Sequence, residues 1–209
     1  MYNKIIKRLI DIILSLIGII LLAIPMLIIA IIIKITDPGP VIFKQKRVGK
    51  NKKYFSLWKF RTMKMDTPKD MPTHLLKNPE QFITSIGKFL RKTSLDELPQ
   101  LFQIFTGKMS IIGPRPALWN QDDLIKERDK YKANNIRPGL TGWAQVNGRD
   151  ELAIPKKAKF DGEYAKKISF GFDVKIFFMT IGKVFKSEGV VEGGPDNKKK
   201  DTKSKKKRK

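Results

Sequence analysis

From Ile12 to Ile33 the chain runs for twenty-two residues without a charge, interrupted only by Ser15, Gly18 and Pro25. About 20 apolar residues in a helix cross a hydrocarbon layer of about 30 Å, so this run asks for a membrane before anything else is decided. Its flanks are basic on both sides. Lys4, Lys7 and Arg8 precede it, and Lys34, Lys44, Lys46, Arg47, Lys50, Lys52 and Lys53 follow it. Lys and Arg beside a membrane segment favour the cytoplasmic side, so both ends ask for the same side. Pro25 offers a way to satisfy them. It lacks an N–H and its ring crowds the carbonyl four residues back, so a helix tends to bend there. The pattern predicts a re-entrant helical hairpin that enters one leaflet and leaves by the same face. One spanning helix with a proline kink is the alternative. A cleaved leader is not expected, because the run exceeds the ~7–15 residues of an h-region and no small-x-small site follows.

What remains is enough for one soluble domain with a single core. The chain has 209 residues, no cysteine and one histidine, His74. Disulfides, thiolate metal sites and histidine-cluster metal sites are therefore excluded. His74 lies in the polar stretch Asp70 to Asn78, expected to be a loop, which argues against a Ser-His-Asp triad. Of the net charge of +23, the segment Lys198–Lys209 carries +8, from nine Lys/Arg against Asp201, and the body carries +15. Anionic lipid headgroups, phosphorylated substrates and nucleic acid all suit such a charge. The tail is low in complexity and expected to be disordered.

Along the chain, Thr36-Asp37-Pro38-Gly39-Pro40 is a turn cluster. Val41 to Phe43 and Tyr54 to Phe60 predict two short strands joined across a basic Gly/Asn turn. Phe82, Ile83, Ile86, Phe89 and Leu90 recur at helical spacing on one face. Leu98, Leu101, Phe102 and Phe105 mark a further helix, opened by Pro99 and closed by Gly107. Asp122 to Ala133 predicts a charged, exposed helix, and Arg137 to Gly142 a loop. Phe172 to Phe185 mixes apolar residues with Lys175 and Lys183. It fits an amphipathic helix in the membrane interface, or an ordinary core helix.

The chemistry centres on Thr93-Ser94-Leu95-Asp96-Glu97-Leu98-Pro99-Gln100. Ser94 with Glu97 three residues on fits a capping box at a helix start. The same pair of acids also fits a catalytic role: an Asp can attack a phosphoryl group, and a neighbouring Glu can hold Mg²⁺ through oxygen. Gly113-Pro114-Arg115-Pro116 and Gly148-Arg149-Asp150 fix guanidinium groups on short stiff turns, and such forks suit bidentate phosphate binding. No Walker-A or dinucleotide spacing is present.

Taken in order, several stretches resemble the bacterial sugar transferases, monotopic polyprenol-phosphate phosphoglycosyl transferases. They are Lys7-Arg8-Leu9-Ile10-Asp11, Asp37-Pro38-Gly39-Pro40-Val41, Phe43 to Gly49, Lys59-Phe60-Arg61-Thr62-Met63, Arg91 to Gln100, Met109 to Pro116 and Arg137 to Arg149. The likeness runs from about Lys7 to Val191. It implies transfer of a sugar 1-phosphate from a UDP-sugar to undecaprenyl phosphate with release of UMP, the first membrane step of a surface glycan. Residue by residue, it implies Asp96 as the nucleophile that takes the phosphosugar and Glu97 as its partner. Both would serve Mg²⁺, and Lys59, Arg61, Arg91, Arg115 and Arg149 would bind substrate. Asp161 and Tyr164 also match the family pattern, without an assigned role. One departure is Ile24 before Pro25, where many relatives carry Ser. Gly113 to Gln121 resembles relatives in capsule synthesis that use deoxy-N-acetylamino sugars.

The fold expected is α+β. A re-entrant membrane helix fills 1–36. A small, mostly helical cytoplasmic catalytic domain with a short β-hairpin and interfacial amphipathic helices fills 37–188, and a basic tail fills 189–209. The expected partners are a UDP-sugar, undecaprenyl phosphate and anionic lipids of the inner membrane, and a homodimer is compatible with them. Nucleic acid is left off, because it gives no reason for the apolar run or for Asp96-Glu97.

Overall fold

A computed structural model describes residues 2–67, 79–148 and 152–186. His74, Arg149 and the basic tail lie outside the described residues. After a π-helical turn at Tyr2–Ile6, the apolar run forms helix α1, Lys7–Thr36, which continues through Pro25 as one helix. Proline removes a single N–H, so only one rung of the helical ladder is lost there, and Pro25 is exposed. Thirty residues rising 1.5 Å each make α1 about 45 Å long.

One stripe of α1 is buried: Lys7, Asp11, Ser15, Met26, Ile29 and Ile33. These positions follow the helical period and face the rest of the chain. The opposite face leaves Leu9, Ile13, Ile20, Leu21, Ile24 and Leu27 exposed. The domain holds both ends of the stripe. At the start, Lys7 Nζ donates to Asp173 Oδ2 at 2.7 Å, the Ile111 N–H donates to Asp11 Oδ1 at 3.0 Å, and the Arg8 guanidinium reaches the carbonyls of Ile104 and Phe105 at 2.6 and 2.7 Å. At the other end, Met26, Ile29 and Ile33 form a core cluster with Phe60 and Leu90. Losing one partner of a buried ion pair such as Lys7–Asp173 costs about 3–5 kcal/mol.

The expected β-hairpin is present: β1, Ile42–Val48, pairs antiparallel with β2, Tyr54–Phe60, placing Phe43 opposite Lys59 and Val48 opposite Tyr54. β1 runs on through the basic residues, where Lys44 sits over the Trp58 ring and Lys46 over Tyr54. Two short helices follow, α2 at Ser85–Thr93 and α3 at Gln100–Phe105. Thr84 caps α2 by accepting from the Gly87 N–H. Phe89, grouped by its spacing with the buried face, is instead 54% exposed, while its neighbour Leu90 is fully buried. On α3 the buried residues are Gln100, Gln103 and Ile104, not Phe102 and Phe105. Gln103 goes inward because its amide bridges β2, accepting from the Trp58 N–H and donating to the Ser56 carbonyl.

The segment from Arg137 to Gly142, expected as a loop, contains a strand. β3, Ser110–Ile112, and β4, Gly139–Thr141, pair in parallel. The glycines permit it: a Cβ at Gly139 would lie 2.1 Å from the Gly113 nitrogen, and one at Gly142 would lie 2.0 Å from the Gly113 oxygen. Helix α4, Asp122–Asp129, is not fully exposed as its charges imply, because Leu124 and Arg128 are buried against α6, Ile154–Lys167. A short α5, Trp143–Val146, and the terminal α7, Phe170–Lys186, complete the order. α7 has one buried and one exposed apolar side: Ile176 is fully buried, while Phe170, Phe177, Phe178 and Ile181 are exposed.

Candidate active site

Between α2 and α3 the backbone makes a sharp turn. Ser94 adopts φ 59, ψ 16, and its N–H closes α2 onto the Arg91 carbonyl. Leu95–Glu97 then form a single 3-10 turn, and Leu98 and Pro99 lead helically into α3. Pro99 is at home there, since a first-turn N–H would lack a helical partner anyway. The capping-box reading fails on geometry. An N-cap residue needs an extended backbone, whereas Ser94 is left-handed and its side chain makes no cap bond.

The Glu97 carboxylate is committed elsewhere. Lys59, on β2, places Nζ 2.6 Å from Glu97 Oε1, and Arg115 places Nη2 3.1 Å from the same oxygen. Lys59 also approaches Asp96 Oδ2, at 3.4 Å. Asp96 and Glu97 are 7% and 8% exposed, so the two acids stand out of bulk water with cations to hold them. Their loads differ. Glu97 meets two cations on one oxygen, while among the described residues Asp96 has only the long contact to Lys59. A carboxylate with little hydrogen bonding keeps its lone pairs available for attack. The more heavily bound neighbour is fixed in place.

The expected substrate-binding residues do not all converge. Lys59 and Arg115 join the dyad. Arg91, in the last turn of α2, donates from Nε to Thr62 Oγ1 at 2.9 Å. Arg61 is 5% exposed and turned to the end of α1, where it donates to the Asp37 carbonyl. Its Nη1 lies 3.3 Å from Asp37 Oδ2, close enough for charge attraction but not aligned for a hydrogen bond. Gly39, at φ +142, makes room for this arginine, since a Cβ there would lie 2.9 Å from Nη1. Thus Arg61 closes the α1 junction in this structure. Asp161 and Tyr164, left without a role, are structural. Asp161 takes two bonds from buried Arg128, at 2.6 and 2.8 Å, and burial pushes its carboxyl up although Arg128 opposes the shift. Tyr164 donates to Asp173 Oδ1 at 2.7 Å.

One further residue escaped the sequence reading. Gln100 is 2% exposed and, among the described residues, its amide Nε2 has no partner. It follows Glu97 by three positions and Asp96 by four along a helical path, the spacing that brings side chains together. That spacing was the available signal, but a glutamine beside two acids is easily passed over.

The donor set also bears on a metal. Among the described residues no three His, Cys, Asp or Glu side chains gather. Mg²⁺ commonly needs only one or two carboxylates, with substrate phosphates and water completing its shell, so Asp96 and Glu97 fit it.

Comparison with known proteins identifies the family. The family described as bacterial sugar transferase matches residues 2–187. The chain is 40% identical over 190 residues to the UDP-glucose:undecaprenyl-phosphate glucose-1-phosphate transferase of Escherichia coli, covering 88% of this chain and 41% of that protein. It is 38% identical over 186 residues to an uncharacterized sugar transferase of Bacillus subtilis, covering 89% of this chain and 90% of that one. It is 38% identical over 183 residues to the UDP-N-acetylgalactosamine-undecaprenyl-phosphate N-acetylgalactosaminephosphotransferase of Aeromonas hydrophila, covering 84% of this chain and 43% of that protein. The chain thus spans under half the length of the Escherichia coli and Aeromonas hydrophila proteins but nearly all of the Bacillus subtilis one. With the match extending over almost everything except the basic tail, the chain belongs to the bacterial sugar transferase family.

Proposed function

We propose that this chain transfers a sugar 1-phosphate from a UDP-sugar to undecaprenyl phosphate, in two displacements at one phosphorus. An Asp96 carboxylate oxygen attacks the phosphorus that bears the sugar. The bond to the UMP oxygen breaks, and UMP leaves with that electron pair. The phosphate oxygen of undecaprenyl phosphate then attacks the same phosphorus, releases the Asp96 carboxylate and yields undecaprenyl-diphosphate-sugar. Phosphoryl transfer asks the protein chiefly for in-line positioning and charge neutralisation. Lys59 and Arg115 supply the cations. Asp96 and Glu97 would hold Mg²⁺, which neutralises diphosphate charge when bound. Gln100 offers its unpaired N–H to a phosphoryl oxygen. The observation that carries this reading is the unequal load on the two buried acids, Glu97 bound by two cations and Asp96 by one long contact.

The same reading places the chain on the cytoplasmic face of the inner membrane, with α1 entering and leaving by one side. The support is that one domain grips both ends of a helix about 45 Å long, through Lys7–Asp173 at one end and the Ile33 cluster at the other. The resemblance of Gly113 to Gln121 to relatives in capsule synthesis makes an N-acetylated deoxyamino sugar the first UDP-sugar to test. Anionic lipids of that membrane attract the basic body.

The deciding experiment is a burst assay with UDP-sugar and no lipid acceptor. Wild type is expected to release UMP in near-equimolar amount and to gain the mass of one phosphosugar. Asp96→Asn abolishes the burst, and Glu97→Gln lowers turnover by more than ~10², as groups acting in one unit do. Absence of both burst and adduct in wild type, with UMP appearing only once undecaprenyl phosphate is added, would replace the covalent route by direct transfer.

A further inference from the structure

At the end of the β-hairpin remote from the dyad lies a polar cavity. Lys59 and Tyr54 are five residues apart on β2, about 17 Å of extended chain, and Lys50 lies beyond Tyr54 in the β1–β2 connection. There a cavity of about 340 Å³ opens beside the N-terminal end of α1, bounded also by β3 and the segment before β4. Lys7, Asp11, Lys50, Asn135, Arg137 and Tyr164 are among the residues that line it.

The charges around this cavity do not cancel. Asp173 is satisfied within the fold, accepting from Lys7, Tyr2 and Tyr164, each at 2.7 Å. Asp11 takes the Ile111 N–H. Set against these two acids are Lys7, Arg8, Lys50 and Arg137. Arg8 bonds only neutral carbonyls, and Arg137 is fixed through Nε by the Gly107 carbonyl at 3.0 Å. Among the described residues, neither Lys50 nor Arg137 meets an acid. Two positive charges are left over at a recess also lined by the amide side chains of Asn3 and Asn135, a combination that suits a phosphate ester.

The surroundings identify the source of that ester. Ile5 and Leu9, at the same end of α1, are 65% and 56% exposed, and Phe170, whose ring packs edge-on against Tyr2, is 60% exposed. Apolar groups exposed to this degree belong against a bilayer surface, which sets the neighbouring cavity at headgroup depth. We propose that the cavity between the start of α1 and the hairpin connection binds the phosphate of an anionic phospholipid. The inference rests on the membrane placement given above and is independent of the phosphotransfer chemistry.

Native mass spectrometry of the full chain in mild detergent tests it, with phosphatidylglycerol or phosphatidylcholine of the same acyl chains added. Wild type is expected to retain one phosphatidylglycerol in preference to phosphatidylcholine. Lys50→Glu, and separately Arg137→Gln, should cut that occupancy by about tenfold, the worth of one charge-assisted hydrogen bond. The charge-matched control Lys126→Gln/Lys130→Gln on α4 should leave it unchanged. Because Arg137 also holds Gly107, Lys50→Glu at an exposed position keeps the test valid if Arg137→Gln misfolds. Equal retention by Lys50→Glu and wild type overturns the proposal. So does binding of glycerol 1-phosphate without lipid retention, which would assign the cavity to a soluble phosphate ester. UMP release from the same samples reports the other reading separately. Its absence from a wild-type protein that still holds phosphatidylglycerol would count against phosphotransfer alone.

Discussion

Lys59 is the residue on which the charge of the site turns, since its ammonium reaches both carboxylates. Its side chain is 20% exposed, against 31% for Arg115, so water screens it less and its charge counts for more. Lys59→Met should therefore lower kcat by about 10²–10³, the usual cost of removing one preorganised donor, with a smaller change in KM. Arg115→Ala should cost about tenfold less, because a partly exposed pair is weaker. Steady-state UMP release for both variants checks this, and equal losses would show that screening does not separate them. The two acids stood out in the sequence as a charged pair, but by the residues alone Ser94 and Glu97 fitted a capping box as well, and only the family resemblance singled out Asp96 and Glu97 for chemistry. The place of Arg61 was not legible. A motif places an arginine near a strand end but does not say that Asp37 will claim it. Gln100 stood in the stretch singled out but was given no role, having no charge to mark it.

The elements differ in how plainly their residues announced them. β2 was read to its bounds, Tyr54–Phe60, and the helix after Pro99 runs Gln100–Phe105, inside the expected Pro99 to Gly107. β4 was hidden because Gly139-Leu140-Thr141 is too short to show alternation and sits among turn formers. Only the close approach of Gly139 and Gly142 to Gly113 makes it a strand. Arg128 was hidden by its own charge, since period alone does not say that a buried Asp161 awaits it. α7 and α6 meet the N-terminal end of the chain through Asp173, which accepts from Tyr2 and Tyr164. Burial, reinforced by Asp173, holds both tyrosine hydroxyls above their usual range. An unfolded tyrosine releases its proton near pH 10, while the folded one keeps it. The folded state then binds more protons, so this contribution is intact below about pH 10 and is lost as pH rises beyond it, by up to about 1.4 kcal/mol per unit for Tyr164. Urea midpoints measured from pH 9 upward should fall more steeply for wild type than for Tyr164→Phe, as the linkage relation requires. Parallel curves would remove Tyr164 from the account.

At the scale of the molecule, the apolar run and its basic flanks were enough to place the chain at a membrane, and α1 has one long face exposed to receive lipid. Its course was less legible. The sequence suggested a re-entrant hairpin bent at Pro25, or one helix kinked there, and the structure has one unbroken run of helix, Lys7–Thr36, through Pro25. The proposed one-sided placement is testable in this cysteine-free chain. Reporter cysteines at Asn3 and Asn51 should both be protected from an impermeant reagent in intact cells. Labelling of Asn3→Cys alone would establish a full crossing.

The ion pair between Lys7 and Asp173 also has a consequence in time. The two residues are separated by 166 positions, so at ordinary rates of synthesis on the order of 10 s pass between their emergence from the ribosome. The first helix is finished and in need of lipid long before the surface that receives its polar stripe exists. The contact that fixes its base is therefore made only once α7 has been synthesised and can claim Lys7. A chain arrested before residue 173 would hold the same helix without the contact that fixes its base.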